Sequence, residues 1–157
     1  MKIIFEKEII LHPENSKTNI YLPFIVETSF DRMEIHFSYA PKKLDDEALS
    51  LKYIDSGMEK YAPGAYRSGY QNSEEFLPVL NLVTLSLDSP EGYLGCAHRH
   101  NPEQIHIISE EFSSPGFAHQ KPVNGIWQAV VNVHAVVTET CTCRLKIFKA
   151  DGSEVLL

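Results

Sequence analysis

The sequence has too few cysteines and basic residues, and too few unbroken apolar runs, for several classes of protein. Its three cysteines are an odd number, so we expect no disulfide framework. Lysine and arginine number 14 against 21 aspartates and glutamates, for a formal net charge of −7, which argues against a nucleic-acid partner because that partner calls for a basic patch. Charges interrupt the apolar positions of residues 1–8, so we expect no export signal, no membrane association and a cytoplasmic location.

What the sequence does contain is typical of one globular domain. Its 157 residues are 43% apolar and 22% charged, enough to bury a core without a stabilising metal, and we expect a single domain over residues 1–157. Apolar and polar residues alternate along several segments, most clearly in residues 33–39, 80–88 and 127–135. About eight such segments, separated by turn residues, predict an all-β fold: an antiparallel, jelly-roll-like β-sandwich.

Two regions fit the alternating pattern less well. Pro23 cannot donate a ladder hydrogen bond, so its strand is expected at a sheet edge or a bulge. Residues 48–54 predict a short strand, with a weak helix as the alternative, and no helix longer than two turns is expected. Residues 55–79 are rich in glycine, proline and aromatic residues and predict a long loop.

The aromatic residues of that loop suggest a ligand site. Tyr61, Tyr66 and Tyr70, with Arg67 among them, could form a platform for a sugar or another planar ligand. The alternative, which we favour at this point, is that these side chains pack the loop onto its own domain.

The histidines suggest a metal site. His98 and His100 lie on the same side of an extended segment, and Glu103 and His119 are close enough in sequence to complete a set of ligands. This pattern is similar to the metal motifs of cupins and would make the chain a small enzyme with a divalent metal such as zinc. The favoured alternative is that His98 and His100 lie in an exposed loop, that His106 faces outward, and that there is no cofactor.

The cysteines offer less chemistry. Cys96 and His98 could form a thiol and base pair, but no orienting group is evident. Cys141 and Cys143 alternate with polar residues, which predicts two buried, reduced thiols on one strand face, a metal clip being the alternative. The sequence contains no G-x-S-x-G element, so no serine nucleophile is predicted.

The order of motifs between residues 88 and 130 resembles a known family. The motifs are Asp88-Ser-Pro-Glu-Gly-Tyr-Leu-Gly95, Ile105-His-Ile-Ile-Ser109, Ser114-Pro-Gly-Phe117 and Gly125-Ile-Trp-Gln-Ala-Val130. They resemble the β-sandwich found N-terminal to the catalytic domain of polymerase and histidinol phosphatase (PHP) type metal-dependent phosphoesterases. Leu94 departs from that family, which has arginine in this turn.

The resemblance implies a non-catalytic module, since the metal ligands of the family's catalytic domain are absent from this sequence. We therefore expect an accessory or ligand-binding sandwich, and not an enzyme, with a separate hydrolase or a small carbohydrate-like molecule as partner. The alternatives are the cupin-like metal enzyme and a carbohydrate-binding module that uses the loop tyrosines.

Overall fold

The computed structural model describes residues 1–64 and 73–151, and eight antiparallel strands account for about half of them. The strands are β1 (Lys2–Leu11), β2 (Thr18–Val26), β3 (Arg32–Ala40), β4 (Leu82–Ser89), β5 (Gly92–Ala97), β6 (Glu103–Ser109), β7 (Gly125–Ala135) and β8 (Cys141–Ala150). The described helices are α1 (Glu47–Tyr61) and two 3-10 turns, Pro13–Asn15 and Ser73–Phe76.

The strands form two sheets of four. Sheet A has the order β1-β8-β3-β6, and sheet B has the order β2-β7-β4-β5. Buried residues of both sheets, such as Ile35, Leu145, Leu85 and Val131, belong to one apolar core cluster, so the sheets pack face to face. The all-β sandwich predicted from the alternating segments is confirmed.

The alternating residues occupy the expected faces. In β7, Trp127 is fully buried, packs near Phe24 at 6.3 Å between ring centroids, and donates from Nε1 to the Val123 carbonyl at 2.9 Å. Pro23 lies in β2, an edge strand of sheet B, where a missing N–H costs least. Cys141 and Cys143 are unpaired and buried in β8, as predicted for their strand face.

The predicted strand over residues 48–54 is wrong, because this segment belongs to the 15-residue helix α1. Asp46 caps the helix, with its side chain accepting a 2.9 Å hydrogen bond from the Leu49 amide, which satisfies a donor that the first turn leaves unpaired. Ser50 and Met58, the two buried residues of the helix, are eight positions apart and thus share one face. The helix also takes up residues 55–61 of the predicted loop.

The segment that follows β6 packs closely against β5 through backbone atoms. The Cys96 amide donates to the Gly116 carbonyl at 3.2 Å, and the Ala118 amide donates to the Leu94 carbonyl at 2.9 Å. A Cβ on Gly95 would overlap the Gly116 carbonyl oxygen, and a Cβ on Gly116 would overlap that of Cys96. Both residues have positive φ, +146° and +98°, so glycine is required at both positions.

Candidate functional site

The outward face of sheet A is a charged, solvated surface. The four strands of sheet A contain ten charged residues. On this face Arg144 bonds Glu8 at 2.8 Å, Lys146 bonds Glu6 at 3.1 Å, and all four side chains are largely exposed. Pairs of this kind add little stability but keep a sheet face soluble.

Sheet A also carries a hollow of about 450 Å³, lined by His36, Ser38, Glu103, Ile105, Arg144 and Lys146 among others. His36 is half-buried: its Nε2 lies 2.6 Å from Oε1 of buried Glu34 and its ring lies 4.7 Å from that of Phe148. Each basic group of the hollow is therefore already paired with a carboxylate, which leaves no surplus positive charge for an anion.

The outward face of sheet B differs in composition. Its four strands contain a single charged residue, Asp88. We call this surface the neutral face and define it by the outward side chains Tyr21, Pro23, Ile25, Thr84, Ser86, Asp88, Tyr93, Cys96, Ile126, Gln128, Val130, Asn132 and His134. Four large apolar side chains project from it into solvent: Tyr21 at 58% exposure, Ile25 at 64%, Ile126 at 68% and Tyr93 at 70%.

The two middle strands of sheet B supply polar groups to the same face. Gln128 Nε2 donates to Asp88 Oδ2 at 3.4 Å, and Asn132 Nδ2 donates to Ser86 Oγ at 3.2 Å. Next to these pairs, Thr84 Oγ1 and His134 Nε2 are 2.9 Å apart. Thr84 and Ser86 are buried, whereas Asp88, Gln128 and Asn132 are half-buried. The neutral face thus presents amide and carboxylate groups between projecting apolar side chains, the composition of a surface that contacts a ligand.

Cys96 lies on the neutral face with an inert thiol. Its Sγ is 4.0 Å from His98 Nδ1, and Asn132 Nδ2 approaches it at 3.9 Å. Burial raises the pKa of the Cys96 thiol, against a smaller lowering by a hydrogen bond with Thr84. The thiol therefore stays protonated at neutral pH, which disfavours the Cys96 and His98 nucleophile pair.

The four predicted metal ligands are exposed, and they lie in different places. His98 and His100 occupy the loop after β5, Glu103 begins β6, and His119 follows the turn at Gly116. Over residues 1–64 and 73–151, no group of three or more histidine, cysteine, aspartate or glutamate side chains is arranged to hold a metal ion. The predicted ligands accordingly form no such group.

His106 was expected to face outward and is instead fully buried. Its Nε2 is 2.8 Å from Gln104 Oε1, its ring lies edge-on to Phe117 at 5.3 Å, and its Nδ1 has no partner. Desolvation, and to a smaller extent the charge of Arg99, lowers the pKa of His106 to about 4. Gln104 Nε2 also donates to the carbonyls of Arg99 and Asn101 at 3.2 and 2.7 Å, so His106 helps to hold the loop that carries His98 and His100.

Of the predicted aromatic platform, only Tyr61 lies within the described residues, and Tyr66, Arg67 and Tyr70 lie outside them. Tyr61 ends α1 with 69% exposure. Its hydroxyl accepts a 3.4 Å hydrogen bond from Lys17 Nζ, and Lys60 Nζ is 5.1 Å from its ring centre. Hydrogen bonds, first from Lys60 and then from Lys17, lower the Tyr61 pKa, so the Tyr61 ring sits in a positively charged setting.

The reasoning from sequence did not find the neutral face. Its signal was present in the sequence as charge per strand: residues 18–26, 82–89, 92–97 and 125–135 contain only one charged residue. That signal has meaning only once these four segments are known to form one sheet.

The comparisons with known proteins add no family to this description. No protein-family model matches the chain, and no curated protein matches it. In the part of the chain that the structure describes, no helix is both long and apolar enough to cross a membrane.

Proposed function

We propose that this chain is a non-catalytic binding module whose ligand-contacting surface is the neutral face of sheet B. One observation carries the proposal: the outward face of sheet A bears charges and ion pairs, whereas the outward face of sheet B has one charged residue and four exposed large apolar side chains. A soluble protein rarely gathers exposed tyrosine and isoleucine on one surface unless that surface contacts something.

The energetics of burial favour ligand binding on the neutral face over ligand binding on the outward face of sheet A. Covering Arg144 or Glu8 with a ligand would remove charged groups from water at a cost of several kcal/mol per ion. Covering Ile126 or Tyr93 is favourable by about 25 cal/mol for each Å² of apolar surface removed from water. Depletion of charge together with exposed aromatic residues is also the composition of the buried centre of protein interfaces.

The topology supports the same kind of module. β1 pairs with β8, β2 with β7 and β3 with β6, while β4 pairs with β5, as in a long hairpin rolled into two sheets. These pairings support the jelly-roll arrangement, which is common in lectin and cupin domains. Fold alone does not assign a ligand, and the composition of the neutral face is what points to binding.

The chemistry of the described residues supports the non-catalytic part of the proposal. The thiol of Cys96, the cysteine placed beside His98, has a raised pKa. The resemblance to the sandwich of PHP-type phosphoesterases agrees with an accessory role. The separate hydrolase partner and the cytoplasmic location remain predictions.

Mapping with small organic probes tests the face without knowledge of the ligand. Phenol and isopropanol are titrated into isotopically labelled protein, and amide shifts are followed by NMR. We expect the largest shifts on β2, β5 and β7 near Tyr21, Tyr93 and Ile126, with Ile126→Lys abolishing them.

The matched control is Ile105→Lys, which replaces another exposed isoleucine, 55% accessible, on the outward face of sheet A. It should leave the probe shifts unchanged. Shifts centred on the hollow beside His36 and Arg144, or equal losses in the two variants, would contradict the assignment of the face.

A further inference from the structure

The neutral face has a polar strip that runs across its strands from one tyrosine to another. Tyr93 on β5 is directly opposite Asp88 on β4, and Asp88 is opposite Gln128 on β7. Tyr21 on β2 is opposite Val130, the next outward residue of β7 after Gln128. The strip therefore places a carboxylate and an amide between two exposed phenol rings.

Exposure to solvent differs between the edge strands and the middle strands of this face. Val130 and Ser86, on the middle strands, are only 6% and 9% exposed, whereas Tyr21 and Tyr93, on the edge strands, are 58% and 70% exposed. Neighbouring strands lie about 4.8 Å apart, so the two edge strands are separated by about 14 Å. A short chain of linked rings can therefore reach both exposed tyrosines across the width of the sheet.

The chemistry of the strip favours a ligand rich in hydroxyl groups and without charge. A carboxylate accepts hydrogen bonds, and a side-chain amide both donates and accepts them, which matches the mixed demands of sugar hydroxyls. The C–H face of a pyranose ring packs against an aromatic side chain, and tyrosine offers such a ring with a polar edge. Asp88 and the net charge of −7 repel acidic ligands, while a neutral ligand meets no such penalty.

We propose that a short neutral oligosaccharide binds across sheet B, with Tyr21 and Tyr93 packing against its rings and Asp88 and Gln128 bonding its hydroxyls. This inference rests on the proposed function, because it names the ligand of the same face. It moves the carbohydrate site from the loop tyrosines predicted from the sequence to the strands.

The Tyr93 phenol supports this role as a neutral group. Its pKa is raised, first by desolvation and then by electrostatic interaction with Cys96 and Asp88. The ring therefore keeps its hydroxyl proton at physiological pH and can act as a hydrogen-bond donor to the ligand.

Titration with defined sugars tests the inference. Maltotriose, cellotriose, xylotriose and chitotriose are each added to labelled protein up to about 10 mM, and amide shifts give the affinity. We expect at least one of them to shift amides of β4, β5 and β7. Tyr93→Ala and Asp88→Asn should each weaken its binding about tenfold or more, or about 1.4 kcal/mol.

Tyr61→Ala is the matched control, because Tyr61 has 69% exposure against 70% for Tyr93 and belongs to the loop set predicted from sequence. It should bind the sugar as the wild type does. Loss of binding in Tyr61→Ala with none in Tyr93→Ala would overturn the inference in favour of the loop.

Two further outcomes separate this inference from the proposed function. If organic probes bind the neutral face but none of the four sugars does, the proposed carbohydrate ligand is wrong, whereas the neutral face remains supported as the binding surface. If shifts on the face grow with protein concentration and Ile126→Lys restores a monomer by light scattering, the occupant is a second copy of the chain, which also overturns the carbohydrate.

Discussion

Replacement of Gly116 by alanine should lower the free energy of unfolding by more than the small size of the added methyl group suggests. Gly116 has φ +98°, and a Cβ there would overlap the carbonyl oxygen of Cys96 and lie 3.2 Å from its carbonyl carbon. Both neighbours are backbone atoms, so no side chain can rotate out of the way. An alanine at this φ strains the backbone, and the overlap also forces residues 114–118 to move away from β5.

The magnitude is the sum of the two costs. An L-residue in this region of φ costs about 1–3 kcal/mol, and displacement of the segment breaks two backbone hydrogen bonds, Cys96 to Gly116 and Ala118 to Leu94, at about 1 kcal/mol each. We expect Gly116→Ala to lower the free energy of unfolding by about 3–5 kcal/mol. For a domain of this size the melting temperature should fall by roughly 10 °C.

Urea unfolding followed by tryptophan fluorescence measures the change, since Trp127 is fully buried. The control is Gly57→Ala: Gly57 lies inside α1, and an added Cβ there meets no atom within 4 Å. That variant should gain about 0.5–1 kcal/mol, because alanine favours the helix over glycine. A loss of less than about 0.5 kcal/mol in Gly116→Ala would refute the close approach of residues 114–118 to β5.

The other predictions concern two buried rings. Trp127→Ala should cost about 3–5 kcal/mol of stability in urea unfolding, and an unchanged midpoint would mean that Trp127 faces solvent. His106 has a pKa of about 4 in the folded state against 6.5 for an unperturbed histidine. Below pH 6.5 the unfolded chain therefore binds a proton that the folded chain excludes. We expect the free energy of unfolding to be highest above pH 6.5 and to fall by about 3 kcal/mol as the pH drops to 4. His106→Phe should flatten the stability curve between these pH values, and parallel curves for the variant and the wild type would contradict the assignment.

Local pattern was sufficient for the cleanly alternating strands but not for β6. In β6, apolar residues occur on both faces of the strand, with Ile105 and Ile107 on one side and Ile108 on the other. A two-residue period cannot choose a face in such a segment. The choice depends on Phe117, eleven residues farther along the chain, whose ring meets His106 inside the core.

Helix α1 shows a second limit. Leu49, Leu51 and Tyr53 occupy alternate positions, as apolar residues do in a strand, and this pattern led to the wrong prediction. The signals that favour a helix lie outside these three residues: the cap at Asp46 and the spacing of Ser50 and Met58. The backbone requires a partner for every strand, and the described contacts place this segment beside the 3-10 turn at 73–76 rather than in a sheet.

For the segments in which apolar and polar residues alternate cleanly, such as 33–39 and 127–135, the sequence by itself determined that they are strands and which side chains point inward, because side chains alternate along an extended backbone and apolar groups avoid water. It also contained the low charge of the four strands of sheet B. Only the tertiary structure decided that these strands are neighbours, that Tyr21 and Tyr93 stand at the two edges of one face, and that Gly95 meets Gly116. Pairing between distant strands depends on contacts across the whole chain, and no local pattern specifies them.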